Sequence, residues 1–202
     1  MSANFYLVRH AIKEKAIGDV PIAKEGVAQA QATARYFRSL PVQAVLCSPL
    51  RRAKDTAAFI AAVSFAPVSE DIRLRERANW GDLPGQSFDE FVAMWDRCTR
   101  ERDFLPPVGD SARRAGERLS ACLMELAESS RYDSAFVVVT HGGLITDFLV
   151  NEFSEEELDF WQPQFIIRQS SLIPECSITK LIYKTGCYQI EMFASVNHLS
   201  SP

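Results

Sequence analysis

Apolar residues along this chain fall into short runs that alternate between strand-like and helix-like spacing. Asn4-Phe5-Tyr6-Leu7-Val8 is a compact apolar run ending at Arg9-His10, the form of a buried strand that delivers two polar residues at its carboxyl end. Val27, Ala30, Ala34 and Phe37 follow at gaps of 3, 4 and 3. That spacing predicts one face of a helix over 24–39, which Pro41 ends. Val42 to Cys47 reads as a second strand closed by Ser48-Pro49, and Ala53, Ala57 and Ile60 mark a helix over about 52–63.

The stretch from Pro67 to Pro107 differs, being richer in charge, proline and tryptophan. Within it, Ser87-Phe88-Asp89-Glu90 has the S-x-x-E form of a capping box. The helix it starts carries Phe88, Phe91, Val92 and Trp95 on one face. Ala115, Leu119, Cys122 and Leu126 predict a long helix over 111–130. It leads into Ala135-Phe136-Val137-Val138-Val139-Thr140, the clearest buried strand, which runs into His141-Gly142-Gly143 and a further helix. Ser154-Glu155-Glu156-Glu157 is a second capping-box start. Period-two alternation over Ile178–Tyr183 and Tyr188–Met192, around Lys184-Thr185-Gly186, predicts a terminal hairpin.

Strands alternating with helices imply an α/β fold: a three-layer α/β/α sandwich with a mostly parallel central sheet. The C-terminal hairpin strands join its edge, and a small helical cap covers it. With 202 residues and no repeat or linker, the expectation is a single domain over 1–202. The cap is expected as an insertion at about 77–109, with an ordinary core-layer helix as the alternative.

Composition narrows the function classes. A net charge of -4 argues against a polycation built for nucleic acid or anionic membrane. No run reaches the roughly 18–20 apolar residues of a membrane span, and Met1 to His10 lacks the form of a signal peptide. The five cysteines are odd in number and form no C-x-x-C. Reduced thiols in a cytoplasmic protein are therefore expected, with no disulfide framework, metal site or cofactor.

Three strand ends gather the candidate chemistry: Arg9-His10, Ser48-Pro49-Leu50-Arg51-Arg52, and Thr140-His141-Gly142-Gly143. Ligands of open α/β sheets bind beyond the carboxyl ends of the strands. Imidazole can act as a nucleophile, and guanidinium presents a planar fork of donors to phosphate oxygens. An attack on phosphorus also needs a charge sink and an acid for the leaving oxygen.

The ordered motifs resemble the histidine phosphatase superfamily, also called the phosphoglycerate mutase-like family, over roughly residues 4–195. Phe5-Tyr6-Leu7-Val8-Arg9-His10 is similar to its strand and R-H motif. Ala23-Lys24-Glu25-Gly26-Val27-Ala28-Gln29-Ala30 resembles L-T-x-x-G-x-x-Q-A. Ser48 to Ala57 is similar to S-P-L-x-R-A-x-x-T-A. Leu74-Arg75-Glu76 resembles the L-x-E segment, Gly109-Asp110-Ser111 resembles G-E-S, and Val139 to Gly143 resembles the second histidine motif. The resemblance implies a metal-independent phosphomonoesterase with a phosphohistidine intermediate and a small phosphorylated substrate. No nucleic acid or membrane partner is implied.

By the same resemblance His10 is the nucleophile, and Arg9 and Arg52 bind phosphoryl oxygens. His141 completes the pocket as a cationic donor, and Glu76 serves as acid and then base. Gly142 lets the backbone approach an anion at a helix N-terminus. Spacing alone does not separate Arg52 from Arg51. Glu76, among Arg73, Arg75 and Arg77, reads without the resemblance as part of a surface charge run.

One motif departs. The family's R-H-G-E-T-x-x-N is Arg9-His10-Ala11-Ile12-Lys13-Glu14-Lys15-Ala16 here. Lys13 or Lys15 is therefore expected either to lean toward an anionic substrate or simply to be solvated. The alternatives to hydrolysis are phosphoglycerate-mutase-type phosphoryl transfer and a non-catalytic phosphate-binding module. Glu76 and His141 lie only 65 positions apart, a short separation that favours hydrolysis. Of the cap aromatics, Phe91 and Trp95 are expected in the core.

Overall fold

A computed structural model of the chain describes residues 2–130 and 133–200. Its strands are β1 (Ser2–Arg9), β2 (Val42–Cys47), β3 (Val68–Glu70), β4 (Ser134–Thr140), β5 (Ile178–Lys184) and β6 (Cys187–Ser195). Its α-helices are α1 (Lys24–Phe37), α2 (Arg51–Ser64), α3 (Phe88–Arg100), α4 (Ala112–Ser129), α5 (Gly142–Glu152), α6 (Glu155–Trp161) and α7 (Phe165–Arg168).

The six strands form one sheet in the order β3-β2-β4-β1-β5-β6. Pairing is parallel from β3 through β2 and β4 to β1, and antiparallel from β1 to β5 and β6. This is the mostly parallel sheet with C-terminal hairpin strands that the sequence implies. Successive residues of a strand point to opposite faces. Phe5 and Leu7 of β1 therefore join Phe136 and Val138 of β4 in one core. Tyr6 and Val8 join Val137 and Val139 in the other. Helices α4 and α5 cover the first core, and α1 and α2 cover the second. Phe5 and Phe37 are fully buried, and burial of such a side chain stabilises by about 1.5–3 kcal/mol.

Helix α1 also sets the path of the chain beyond His10. A Cβ on Gly26 would lie 2.2 Å from the Ile12 carbonyl oxygen, so only glycine lets the helix back onto that loop. The Ala23 amide donates to the same carbonyl at 2.8 Å. The hairpin turns on Thr185 and Gly186, both at positive φ, between paired Lys184 and Cys187. Strand β3 escaped the periodicity reading because its three residues are all exposed at the sheet edge. Both capping boxes, at Ser87 and Ser154, are formed. All five cysteines are free, four of them buried. Among the described residues no helix is long and apolar enough to cross a membrane.

Candidate active site

The parallel strands end together, and backbone bonds lace their ends. The His10 amide donates to the Thr140 carbonyl at 2.9 Å, and the Ser48 amide donates to the Val139 carbonyl at 3.0 Å. The Thr140 hydroxyl donates to the Leu74 carbonyl at 2.7 Å, which anchors the segment leading to Glu76. A cavity of about 340 Å³ opens at this edge. Arg9, His10, Arg52, Glu76 and Gly142 all line it. His141 lies behind its wall, with its ring centroid 5.2 Å from that of His10.

His10 has a defined tautomer. Its Nδ1 is 2.8 Å from the Ala11 carbonyl. A carbonyl can only accept, so Nδ1 carries the proton. Nε2 then holds the lone pair, and it accepts from Arg52 Nε at 3.1 Å. Burial first, and then the Arg52 charge, push the His10 pKa well below 6.5. The ring is therefore neutral at neutral pH, with its nucleophilic nitrogen turned to a guanidinium.

The arginines are held differently. Arg52 is buried, and its Nη1 has no partner. Arg9 gives Nη1 to the Ile173 carbonyl and Nη2 to Glu175 Oε1, each at 2.5 Å. Its Nε is buried and free. Gly142 opens α5 against the Arg9 side chain, where a Cβ would lie 3.4 Å from Cδ. It is the first residue of that helix.

His141 differs from the sequence expectation. Burial, then Arg52, then His10 lower its pKa well below 6.5, so the ring is neutral, not cationic. Ser48 Oγ lies 2.7 Å from its Nε2 and accepts from the Leu50 amide at 3.3 Å. The Ser48 hydroxyl keeps a proton and a second lone pair, so it serves Nε2 in either tautomer. The His141 Nδ1 is buried without a partner.

Glu76 is buried, with Oε1 accepting from the Arg77 amide and Oε2 from the Gly143 amide, both at 3.0 Å. The second donor is one of the first-turn N–H groups that α5 itself cannot satisfy. The surface charge run around Glu76 dissolves in three dimensions. Arg73 pairs with Asp71, Arg75 with Asp82, and Arg77 with buried Asp147. Each of the three guanidinium groups is thus paired with an aspartate rather than with Glu76.

Of the two lysines singled out, Lys13 lines the cavity and Lys15 is exposed outside it. Burial and then Arg52 lower the Lys13 pKa. Phe91 and Trp95 line the cavity together with Trp80 and Phe88, which corrects their placement in the core. Helix α3 turns its apolar stripe toward the cavity. Sequence reasoning missed Glu175 and Ser170, which also line it. They arrive on the segment between α7 and β5, Ser170 in a short 3-10 turn of helix and Glu175 beside Cys176, whose amide donates to the Arg9 carbonyl at 3.0 Å, and no local pattern marks them. Among the described residues no group of three or more His, Cys, Asp or Glu is placed to hold a metal ion.

Comparison with known proteins gives consistent results. The sequence model of the histidine phosphatase superfamily (branch 1) matches residues 5–195. The uncharacterized phosphatase PhoE of Bacillus subtilis (strain 168) is 25% identical over 201 residues, covering 96% of this chain and 95% of that protein. The probable phosphoglycerate mutase GpmB of Salmonella arizonae is 26% identical over 220 residues, covering 98% of this chain and 95% of its own length. The solved structure of a mycobacterial glucosyl-3-phosphoglycerate phosphatase superposes with a TM-score of 0.73 at 23% identity. It covers 96% of this chain and 100% of that one, a likeness that establishes the fold.

Proposed function

This chain belongs to the histidine phosphatase superfamily, and from that premise we propose that it is a phosphomonoesterase working through phosphorylated His10. The observation that carries the proposal is the fixed tautomer of His10. Nδ1–H is committed to the Ala11 carbonyl, and the Nε2 lone pair is left at the cavity wall beside Arg52. A neutral, oriented imidazole with a guanidinium at its nucleophilic nitrogen is built to meet an anionic electrophile.

In the first step the Nε2 lone pair attacks phosphorus and the ester P–O bond breaks. Arg52 shifts its donors from Nε2 to the equatorial oxygens, which its free Nη1 and Arg9 Nε also reach. His141 donates through Nδ1. The negative phosphoryl group counters the push of Arg52 on both imidazoles. Glu76, in the role of general acid, gives a proton to the leaving oxygen, held in place by the Arg77 and Gly143 amides. In the second step Glu76 takes a proton from water, the hydroxide attacks phosphorus and the P–N bond breaks. Inorganic phosphate leaves and His10 is regenerated. Arginine supplies the positive charge throughout, so turnover needs no metal.

Residues 77–109 serve as the cap of a single domain spanning 1–202, with α3 over the cavity. Lys13 adds a cation at the phosphoryl end. The substrate is a small phosphorylated molecule, and the buried free thiols suit a reducing, cytoplasmic setting. GpmB is named a probable phosphoglycerate mutase and is matched over 95% of its length. Overall length therefore does not separate hydrolysis from phosphoryl transfer.

The test is turnover of an aryl phosphate with and without chelator, by this chain and by His10→Ala. Chelator-resistant release of phosphate that disappears in the variant is expected. Undiminished release by His10→Ala overturns the assignment. A phosphoglycerate supplied with its bisphosphate primer tests the mutase reading, which predicts isomer interconversion faster than phosphate release.

A further inference from the structure

Helix α3 is amphipathic, yet Cys98 is the one residue it buries. Phe88, Phe91, Val92 and Trp95, spaced as one helical face, line the cavity instead. Phe88 is 55% and Val92 38% exposed. Trp80 extends the same wall, with its ring 5.0 Å from that of Phe88. Apolar area left in water at a cavity wall is a store of binding free energy for an apolar ligand group.

The wall begins at the acid. A Cβ on Gly143 would lie 2.5 Å from Trp95 Cη2 and 2.8 Å from Glu76 Oε1, so the indole edge and the carboxylate meet over the same glycine. The indole is fixed from its other side by Arg77, whose guanidinium carbon lies 3.8 Å from the ring centroid. A leaving oxygen protonated by Glu76 therefore carries its alcohol past Trp95 and along the aromatic face.

The cationic lining, Arg9, Lys13 and Arg52, gathers around His10. Lys13 lies within the field of Arg52, and Glu175 is paired to Arg9. On the α3 side the lining is Trp80, Phe88, Phe91, Val92 and Trp95, with Ala78 and Asn79. Among the described residues lining that side, no cation stands to receive a second acidic group.

We infer that the preferred substrates are phosphomonoesters of apolar alcohols, alkyl or aryl, rather than of hydroxy acids. The inference rests on the phosphoryl group lying between Arg9, His10 and Arg52. The test first removes chemistry from the measurement. Methylphosphonate, hexylphosphonate and 3-phosphonopropionate are compared by calorimetric binding to the full chain. Hexylphosphonate is expected to bind at least tenfold tighter than methylphosphonate, and 3-phosphonopropionate no tighter than it. Phe88→Ser, at an exposed position, is expected to shrink the hexyl-to-methyl ratio at least threefold.

Turnover is then compared for hexyl phosphate and glycerol 3-phosphate, two primary alkyl esters with leaving alcohols of broadly similar basicity. At least a tenfold advantage in kcat/KM for the hexyl ester is expected. Equal affinities for the three phosphonates, or a preference for the carboxylated one, overturn the inference while leaving the phosphatase reading standing. The expected binding order without turnover of either ester supports this inference and sinks the hydrolytic reading instead.

Discussion

Arg77→Met tests the support beneath the site. Arg77 is fully buried and gives Nη1 to Asp147 Oδ1 at 2.7 Å. Its Nη2 reaches the Trp95 carbonyl at 3.3 Å and the Thr99 hydroxyl at 2.6 Å, so it ties α3 to α5. Asp147 is fully buried, and burial pushes its carboxyl up to about 7 even though Arg77 pulls it down. An acid whose folded pKa lies above its unfolded value binds more protons when folded. Its contribution to stability is lost as pH rises between the two values. In the parent chain that loss ends near pH 7. Without Arg77 the folded pKa climbs further, and the variant keeps losing about 1.4 kcal/mol per pH unit. From about pH 7 to pH 9 the gap between the two chains widens by up to about 3 kcal/mol, or about 6–12 °C in Tm for a chain of this size. Arg102, 3.9 Å from the same carboxylate oxygen, sets the lower end. The assay is thermal melting of both chains from pH 6 to pH 9, with Asp147→Asn added to the variant as control. The control is expected to remove the widening. A Tm gap that stays constant across that range refutes the buried-charge argument.

Three further outcomes follow from the site. Glu76→Gln is expected to lower kcat for alkyl phosphates about 10²–10⁴-fold, and the loss should be much smaller for the phosphorylation step of an aryl ester, whose leaving group needs little help. Rapid-quench kinetics separate the two steps, and equal losses for both esters would remove Glu76 as the acid. Gly143→Ala is expected to displace Trp95 and Glu76 together, because its Cβ would fall 2.5 Å from one and 2.8 Å from the other. Steady-state kinetics should show kcat falling and KM rising, and unchanged constants would mean the helix start yields without cost. In imidazole NMR, His10 and His141 are expected to remain uncharged at pH 6.5, where an ordinary histidine is half protonated. Imidazolium signals from either at that pH would contradict the burial argument.

Most of the scaffold was legible because its signals are local. Period-two runs such as Phe5–Val8 and Phe136–Val139 set which face each residue takes, and the S-x-x-E sequences at Ser87 and Ser154 formed the caps they encode. The strand-end motifs likewise meet in one cavity at Arg9, His10, Arg52 and Gly142, with His141 behind it, whereas Glu76 was legible only through the family resemblance. What escaped depends on packing. The helical face of Phe91 and Trp95 has the same spacing whether it meets a core or a cavity, and only the placement of α3 decides. Glu175 reaches Arg9 through the antiparallel docking of β5 on β1, across 166 residues of sequence. The charge of His141 follows from burial beside Arg52, and no local sequence pattern encodes burial of a polar group.

The central claim is that His10 Nε2 carries the phosphoryl group. Rapid quenching of the chain during turnover of a ³²P-labelled phosphomonoester, followed by peptide mapping and phosphorus NMR of the linkage, tests it directly. The predicted result is a single acid-labile, Nε2-linked phosphohistidine at position 10, absent from His10→Ala and formed as fast as the substrate is consumed. Turnover without a phosphoenzyme, or label at any other residue, would contradict it.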